Sequence, residues 1–426
     1  MKLNLNEIAS RVLDGTSKGL PSPGTVTPGS VKEKGWNLVR EDLTFPVMVL
    51  LDSAVEHNLR TMAKWCTANG FLFAPHGKTT MCPQLYQRQL GAGAWAITAA
   101  TSQQAMVMVK LGLKRILIAN QLVGAANIRS IASAMNADPA LEIHAILDSV
   151  EGVQHLAGHL KETGAKRPLK ALLEGGREGW RTGVRSLEEG RQVLAEIRRH
   201  PGFLEFSGFE GYEGIARLEE GGLVKEYLES LIRTVDTLAR EVPTPAEPYL
   251  FSVGGTSFLD YQQEVLPSLK GRYRVVVRSG CTVTHDHGNY VAHIKRARAR
   301  GVGEAGWPEL KQALELWSVV QSVRDGKTAI LTFGRRDCPH DGDFPVPLYV
   351  VRPGQARRDA RPLEGAKVAK LNDQHAFMSV PPGVELHVGD RVACGIIHPC
   401  TAFDKWPVIP LVNDAYDVID LYCTYF

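Results

Sequence analysis

The amino-acid sequence predicts an α/β fold: a TIM-type (β/α)8 barrel plus a smaller β-rich second domain. Largely apolar runs recur eight times between residues 71 and 278, and segments with helical spacing separate them. After about Arg300 this alternation stops, and short apolar runs between turn signals such as Pro353-Gly354 replace it. A chain of 426 residues is long enough for both domains.

The elements follow in order along the chain. Residues 1–44 are predicted to form an irregular arm, followed by a strand over Phe45–Leu51 and a helix over Ser53–Ala68 with Ser53 as its N-cap. The eight barrel strands are predicted at 71–74, 94–98, 116–119, 141–147, 168–174, 203–209, 248–253 and 273–278. The clearest helices between them are Ser102–Leu111, Leu187–Arg198 and Leu223–Arg240. Strands of the second domain are predicted at Ala329–Phe333, Leu348–Val351, Val368–Leu371, Phe377–Val380, Arg391–Cys394 and Tyr416–Tyr422.

Composition is that of an ordinary globular protein. Charged residues make up 22% and hydrophobic residues 44% of the chain, and the net charge of +3 favours neither nucleic acid nor membrane as a partner. No apolar stretch is long enough to span a bilayer, and the N-terminus lacks the apolar core of a secretory signal. The seven cysteines include no Cys-x-x-Cys pair, which predicts reduced thiols and a cytoplasmic protein.

Lys78 is the strongest candidate for a catalytic residue. It directly follows the first predicted barrel strand, where we expect it to be half desolvated and able to act as a nucleophile. A phosphate-loop interpretation of Gly77-Lys78-Thr79 fails because Leu72 occupies the position of the required first glycine. A lysine that holds pyridoxal phosphate as a Schiff base and a plain surface lysine remain open on this stretch alone.

Glycine-rich turns follow the later barrel strands. In barrels the loops after strands seven and eight commonly bind phosphate, because glycines let backbone N–H groups approach its oxygens. The corresponding segments here are Gly254-Gly255-Thr256 and Ser279-Gly280-Cys281, although tight turns would give the same pattern. Arg181, which lies after Glu174 at the end of strand five, is a candidate partner of the pyridine nitrogen, and Tyr212 a candidate contact of the ring or phosphate. A surface arginine and a packing tyrosine are the alternatives.

His398 and Cys400 are the candidate metal ligands. A His-x-Cys pair on an extended segment places both side chains on one side, and imidazole with thiolate favours zinc. Alone, a His-x-Cys pair is a weak signal of a metal site, because such pairs also arise by chance. His285 and His287 form a rival metal pair after strand eight, and His375 is a further candidate acid–base or polar group.

Five segments together resemble the D-serine dehydratase and D-threonine aldolase family, from about Phe45 to the C-terminus. They occur in the family's order: Pro75-His76-Gly77-Lys78-Thr79, Arg181-Thr182-Gly183-Val184, Gly254-Gly255-Thr256, Arg278-Ser279-Gly280 and His398-Pro399-Cys400-Thr401. The chain departs from the family in its long N-terminal arm, which is extra, and in two of the motifs. Glu174 lies seven residues before Arg181 rather than five, and the family's R-P-G-x-Y reads Arg-Ser-Gly-Cys-Thr from Arg278.

The resemblance implies a fold-type III pyridoxal phosphate enzyme like alanine racemase, usually a dimer, with a divalent metal beside the cofactor. By this resemblance the barrel spans 52–300, and 1–51 with 301–426 form the β-rich domain that carries the metal site. Lys78 would carry the cofactor. Its other contacts would be His76, Arg181, Tyr212, Gly254, Gly255, Thr256, Ser279, Gly280 and Cys281.

The expected activity is that of a zinc-dependent ammonia-lyase. Its substrate would be a small D-β-hydroxy amino acid such as D-serine, D-threonine or D-threo-3-hydroxyaspartate, and its products a 2-oxo acid and ammonia. A D-threonine-type aldolase is the nearest alternative, but family aldolases tend to have His-x-Asp where this chain has Cys400. A racemase would leave the metal pair idle. A non-catalytic pyridoxal phosphate homeostasis protein belongs to another class, and residues 301–426 argue against it because such proteins are typically barrels alone.

Overall fold

Eight parallel strands form the first sheet of the protein. The structure is a computed structural model that describes residues 1–302 and 308–426 of the chain. Before this sheet lie β1 (Leu13–Asp14), β2 (Thr25–Val26) and β3 (Val47–Leu51). The strands of the sheet are β4 (Leu72–Phe73), β5 (Ile97–Ala99), β6 (Arg115–Gln121), β7 (Glu142–Leu147), β8 (Leu169–Gly175), β9 (Leu204–Gly211), β10 (Leu250–Val253) and β11 (Arg274–Val277). All eight predicted runs are therefore strands.

The sheet curls until its two ends meet. Its strand order is β4-β11-β10-β9-β8-β7-β6-β5, so β4 and β5 stand at opposite ends of the hydrogen-bonded path. A parallel bridge joins His76 to Thr98, and the backbone N–H of Trp95 donates to the carbonyl of Phe73 at 2.7 Å. These contacts link β4 to β5 and close the barrel, which confirms the predicted fold class.

Small and aliphatic side chains fill the barrel interior. They come from seven of the eight strands or the residues that adjoin them and form one buried cluster: Ala74, Ala96, Leu117, Ile146, Leu172, Leu250 and Val276. Because the interior is packed, only the ends of the barrel are free to hold a ligand.

Helices cover the outside of the barrel. They are α1 (Asn6–Ala9), α2 (Asp52–Asn69), α3 (Pro83–Gly91), α4 (Ser102–Lys110), α5 (Ala125–Ala137), α6 (Val150–Glu162), α7 (Leu187–Arg198), α8 (Gly221–Ala239), α9 (Leu259–Val265) and α10 (Asn289–Ala299). The predicted N-cap of α2 is wrong: the helix begins at Asp52, and the Ser53 hydroxyl donates to Asp414 at 2.5 Å instead. Among the described residues, no helix is long and apolar enough to cross a membrane.

The second sheet is mostly antiparallel and lies in the C-terminal part of the chain. Its strands are β12 (Leu314–Arg324), β13 (Thr328–Leu331), β14 (Val346–Val351), β15 (Arg361–Pro362), β16 (Lys367–Leu371), β17 (Ala376–Ser379), β18 (Arg391–Gly395), β19 (Val408–Val412) and β20 (Val418–Cys423). The strand β3 also belongs to it, because β3 pairs with β12 and β19. The six strands predicted here are present, whereas β12, β15 and β19 were not predicted.

The N-terminal arm packs against the rest of the protein. It contains α1 and the two-stranded β1–β2 ladder, and its side chains Leu3, Ile8 and Leu20 belong to the main hydrophobic core. The Lys18 ammonium lies 2.6 Å from a carboxylate oxygen of Asp337 in the second sheet region. The prediction of an irregular arm is therefore wrong for these parts, although Gly19–Gly29 is mostly loop, as expected.

Candidate active site

A cavity of about 410 Å³ lies where the carboxyl ends of the barrel strands face the second sheet. The residues after β4, β8, β9, β10 and β11 reach it from the barrel, and residues after β18 reach it from the other side. Eleven predicted site residues line it: His76, Lys78, Arg181, Tyr212, Gly254, Gly255, Thr256, Gly280, Cys281, His398 and Cys400. Ser279 does not line the cavity; it is buried behind it and its hydroxyl donates to the carbonyl of Gly255 at 2.8 Å.

Lys78 stands in a single 3-10 turn, Gly77–Thr79, which begins four residues after the end of β4 at Phe73. A Cβ atom on Gly77 would lie 2.7 Å from Met108 and 2.8 Å from Ile97, so the turn requires glycine before the lysine. The Tyr86 hydroxyl donates to the Gly77 carbonyl at 2.8 Å and holds the turn in place. Lys78 itself is exposed to the cavity and lines it.

His76 supplies an unpaired polar atom beside the lysine. Burial first, and then the nearby positive charge of Lys78, lower the pKa of His76 well below its usual value, so the imidazole is neutral. Its buried Nδ1 atom has no hydrogen-bond partner among the described residues. Buried polar atoms in proteins are almost always paired, so the vacancy fits a polar ligand in the cavity.

The two glycine turns predicted to hold phosphate lie side by side. The backbone N–H of Cys281 donates to the Thr256 hydroxyl at 3.3 Å, which joins the turn after β10 to the turn after β11. Gly254 has a φ of +88°, a conformation that favours glycine. Because both turns border the cavity and one lies beside Lys78, they fit a phosphate group bound within reach of the lysine.

The glycines differ in what a side chain would disturb. A Cβ on Gly255 would meet its nearest neighbour, the Tyr212 ring, at 3.4 Å, which is ordinary contact. A Cβ on Gly280 would lie 2.6 Å from the His76 carbonyl oxygen, so it would displace the lysine turn. Substitution of Gly255 is therefore the cleaner test of ligand binding.

We expect Gly255→Val to weaken the affinity for pyridoxal phosphate at least tenfold and to lower the melting temperature of the apoprotein by only a few degrees. The added side chain would occupy ligand space without a backbone clash. Fluorescence titration with the cofactor and thermal melts of the apoprotein measure the two effects. Gly280→Val is the comparison and should lose stability as well; equal losses for Gly255→Val would support a plain tight turn.

Arg181 and Tyr212 stand together on one wall of the cavity. The guanidinium carbon of Arg181 lies 5.2 Å from the centre of the Tyr212 ring, within the range of a cation–π contact. Burial raises the pKa of Tyr212 to about 12, so the phenol stays neutral. This wall offers a planar cation and an aromatic face to a ligand.

A buried carboxylate that lines the cavity was missed by the sequence interpretation. Glu210, at the end of β9, lines the cavity and forms a buried ion pair with Arg278. Burial raises the pKa of the Glu210 carboxyl to about 8, although Arg278 acts in the opposite direction. A glutamate directly after the apolar run that ends at Phe209 was a usable signal, because a charge at a barrel strand end is unusual for packing.

His398 and Cys400 lie in the connection that follows β18. His398 is extended, but Cys400 lies in a 3-10 turn, so the predicted continuous extended segment is wrong. Both side chains nevertheless line the cavity. The Nδ1 atom of His398 lies 2.6 Å from an Asp341 carboxylate oxygen, which leaves Nε2 for another partner. A carboxylate that orients a ligating histidine in this way is common around metals.

The thiol of Cys400 interacts closely with its neighbours. It raises the pKa of His398 to about 9, while the Cys281 thiol first, and His398 next, lower the pKa of Cys400 well below its usual value. The Thr79 hydroxyl lies 3.4 Å from the Cys400 sulfur. Because Thr79 follows Lys78, the candidate metal pair and the candidate catalytic lysine adjoin each other.

The other candidate histidines are placed differently. Burial lowers the pKa values of His285 and His287 to about 4, and the Asp286 carboxylate between them accepts backbone N–H groups at the start of α10. Neither histidine nor His375 lines the cavity. Across residues 1–302 and 308–426 no three His, Cys, Asp or Glu side chains form a ready metal cluster, so His285 and His287 lack the further ligands of a closed site.

Comparisons with known proteins link this geometry to a family. Residues 313–412 match the family model described as a putative serine dehydratase domain. A D-threonine aldolase from Arthrobacter sp. is 26% identical over 197 residues, which span 46% of this chain and 48% of the aldolase. The match thus spans about half the length of this curated relative.

Solved structures extend the likeness to nearly the whole chain. D-threonine aldolase from Filomicrobium marinum superimposes with a TM-score of 0.76 and 20% identity, covering 92% of this chain and 97% of the aldolase. D-threo-3-hydroxyaspartate dehydratase from Delftia sp. HT23 gives a TM-score of 0.71 and 21% identity, covering 91% and 99%. The structures of such a dehydratase include a histidine-to-alanine variant and, two positions further on, a cysteine-to-alanine variant in a metal-free form.

The fold is therefore that of the alanine racemase-like proteins, as predicted. The resemblance to the D-serine dehydratase and D-threonine aldolase family is likewise confirmed, by the domain match over 313–412 and by these relatives.

Proposed function

We propose that the protein is an ammonia-lyase that uses pyridoxal phosphate and zinc to convert a small D-β-hydroxy amino acid into a 2-oxo acid and ammonia. One observation carries the proposal: a single cavity brings Lys78 beside the His398–Cys400 pair, with Thr79 in contact with Cys400. The first group can act at the α-carbon of an amino acid, and the second can hold a metal at its β-substituent.

The cavity fits pyridoxal phosphate in three respects. The adjoining glycine turns after β10 and β11 suit a phosphate group, and Arg181 with Tyr212 suits a planar ring. His76, whose Nδ1 atom has no hydrogen-bond partner among the described residues, also lines the cavity. When bound through Lys78, this cofactor supplies an electron sink that stabilises negative charge at the α-carbon.

Lys78 performs the proton transfer in this proposal. Its ammonium is exposed to the cavity, so the side chain can reach a substrate as well as the cofactor. With the cofactor bound, the free amine of Lys78 would remove the proton from the α-carbon as a general base. The Gly77–Thr79 turn, fixed by the Tyr86 hydroxyl, positions it for this step.

The metal ligands in this proposal are His398 and Cys400. Imidazole and thiolate together are typical zinc ligands, and two protein ligands leave positions for water and substrate. The spacing of two also matches the pair of variants made in the D-threo-3-hydroxyaspartate dehydratase structures. Zinc bound there supplies a Lewis acid that stabilises negative charge on a β-oxygen. Asp341 orients the His398 ring and keeps Nε2 available.

A D-threonine-type aldolase is the second candidate, and the two aldolase relatives favour it. The same cavity would then direct the metal toward deprotonation of the β-hydroxyl and cleavage of the carbon–carbon bond. Cys400 argues for the dehydratase, because family aldolases tend to have aspartate at that position. A non-catalytic pyridoxal phosphate protein would need no metal pair beside its lysine.

An assay with three substrates separates these candidates. Purified protein, supplied with pyridoxal phosphate and zinc, is incubated with D-serine, D-threonine and D-threo-3-hydroxyaspartate. We expect release of a 2-oxo acid and ammonia in equal amounts from at least one of them. An aldehyde with glycine would establish the aldolase, and the L-enantiomers serve as the matched control. Neither product from any D-substrate would contradict a lyase function.

A further inference from the structure

We propose that Cys281 and Cys400 form a reversible disulfide that takes Cys400 out of the metal pair and so makes the cavity sensitive to oxidation. The two sulfur atoms lie 3.2 Å apart. This distance is longer than a disulfide bond, which is about 2.05 Å, but it is shorter than an ordinary contact between non-bonded sulfur atoms. Side-chain movement of little more than an ångström would close the bond.

The surroundings of the two sulfurs favour a disulfide between Cys281 and Cys400 over oxidation of the other cysteines. Both line the same solvent-connected cavity, and the Thr79 hydroxyl contacts each of them, at 3.9 Å for Cys281 and 3.4 Å for Cys400. Of the seven cysteines only Cys400 is partly exposed, and Cys281 is buried beside it. The other five are buried and do not line the cavity: Cys66, Cys82, Cys338, Cys394 and Cys423. A small oxidant that enters the cavity therefore meets Cys400 first and finds Cys281 as its neighbour.

The chemistry balances with a hydroperoxide as the oxidant. The Cys400 thiolate attacks one peroxide oxygen, the O–O bond breaks, and hydroxide leaves, which gives a sulfenic acid. The Cys281 sulfur then attacks the Cys400 sulfur, the S–O bond breaks, and the oxygen leaves as water. In total two thiols and hydrogen peroxide give one disulfide and two waters, so sulfur is oxidised and the peroxide is reduced.

The bond would join the barrel to the second sheet, because Cys281 follows β11 and Cys400 follows β18. A sulfur in a disulfide is no longer a thiolate ligand, so only His398 would remain of the metal pair. This loss of zinc binding rests on the proposed function, whereas formation of the disulfide rests on the sulfur geometry alone.

The experiment treats the reduced, metal-free protein of 426 residues with hydrogen peroxide near stoichiometry. We expect two of the seven thiols to disappear, a cross-link between the peptides that contain Cys281 and Cys400, and full recovery of both thiols with dithiothreitol. Zinc binding is measured by elemental analysis after gel filtration. It should be lost in the oxidised protein and return on reduction. Protein loaded with zinc beforehand should oxidise more slowly.

Two variants make the outcome decisive. Trypsin leaves Cys394 and Cys400 in one peptide, so Cys394→Ala is the matched control and should still form the cross-link. In Cys281→Ser we expect no cross-link. Cys400 should instead be oxidised further, to a state that dithiothreitol does not reverse. Absence of a Cys281–Cys400 cross-link in the folded wild-type protein, while other oxidation products accumulate, would overturn the proposal. A cross-link that leaves zinc binding unchanged would uphold the disulfide and contradict the metal assignment instead.

Discussion

Lys78→Ala should abolish both the covalent attachment of pyridoxal phosphate and the lyase activity. In the wild-type protein we expect an absorbance band near the violet end of the visible range, which borohydride reduction removes while fixing the cofactor to Lys78. The variant loses the nucleophile and the general base together, so turnover should fall by more than about 10⁴-fold. Absorbance spectra and peptide mapping of the reduced protein measure the attachment.

The side chain of Lys78 contributes little to folding, because it is exposed to the cavity. The thermal stability of the apoprotein should therefore change little in Lys78→Ala. Lys166→Ala, at an exposed lysine between α6 and β8, is the matched control and should keep both attachment and activity. A reducible adduct that persists in Lys78→Ala would show that another lysine holds the cofactor.

Removal of the metal should stop ammonia release and leave the cofactor attached at Lys78. Loss of several kcal/mol of charge stabilisation at the β-oxygen corresponds to about a thousandfold lower rate. Exchange of the α-proton with solvent should continue, because in the proposed mechanism Lys78, and not the metal, performs that step. Zinc should restore turnover, and Cys400→Ala should reproduce the chelated state even when zinc is present.

Several measurements distinguish this outcome from general damage. The absorbance band and its loss on borohydride reduction should be the same before and after chelation, and α-proton exchange is followed by NMR in deuterated water. Magnesium, which prefers oxygen ligands, is the control ion and should not restore turnover. Full ammonia release from a preparation shown by elemental analysis to lack metal would refute the metal mechanism.

The barrel was predictable because each of its strands is an apolar run that a helix follows. Burial on both faces makes such strands stand out, and all eight runs are strands. The strand β12 escaped prediction because its apolar residues are mixed with polar ones. Glu315, inside it, is buried and accepts hydrogen bonds from the hydroxyls of Tyr349 and Tyr416. These partners lie far away in the chain, so no local sequence pattern indicates that the Glu315 carboxylate can be buried.

Site residues that adjoin strand ends were predictable from the sequence. Site residues that reach the cavity only through contacts with distant parts of the chain were not. Lys78 follows a strand, and its position at the cavity could be inferred from barrel geometry. Asp341 lies 57 residues before His398, in a segment without a motif, and only folding brings it to the imidazole. The approach of Cys281 to Cys400 is likewise a product of the packing of two sheets.

The pairing of β3 has a consequence for how the protein is made. This strand precedes the barrel, yet Leu50 lies opposite Leu314 of β12 and also opposite Leu411 of β19. During synthesis β3 remains without its strand partners until the ribosome has produced all the barrel strands. The backbone hydrogen bonds of the barrel sheet all join strands between Leu72 and Val277, but the second sheet, and with it the position of His398 and Cys400, is completed only when the last strands emerge. The side of the cavity that carries Lys78 is thus synthesised early in translation, and the side that carries His398 and Cys400 late.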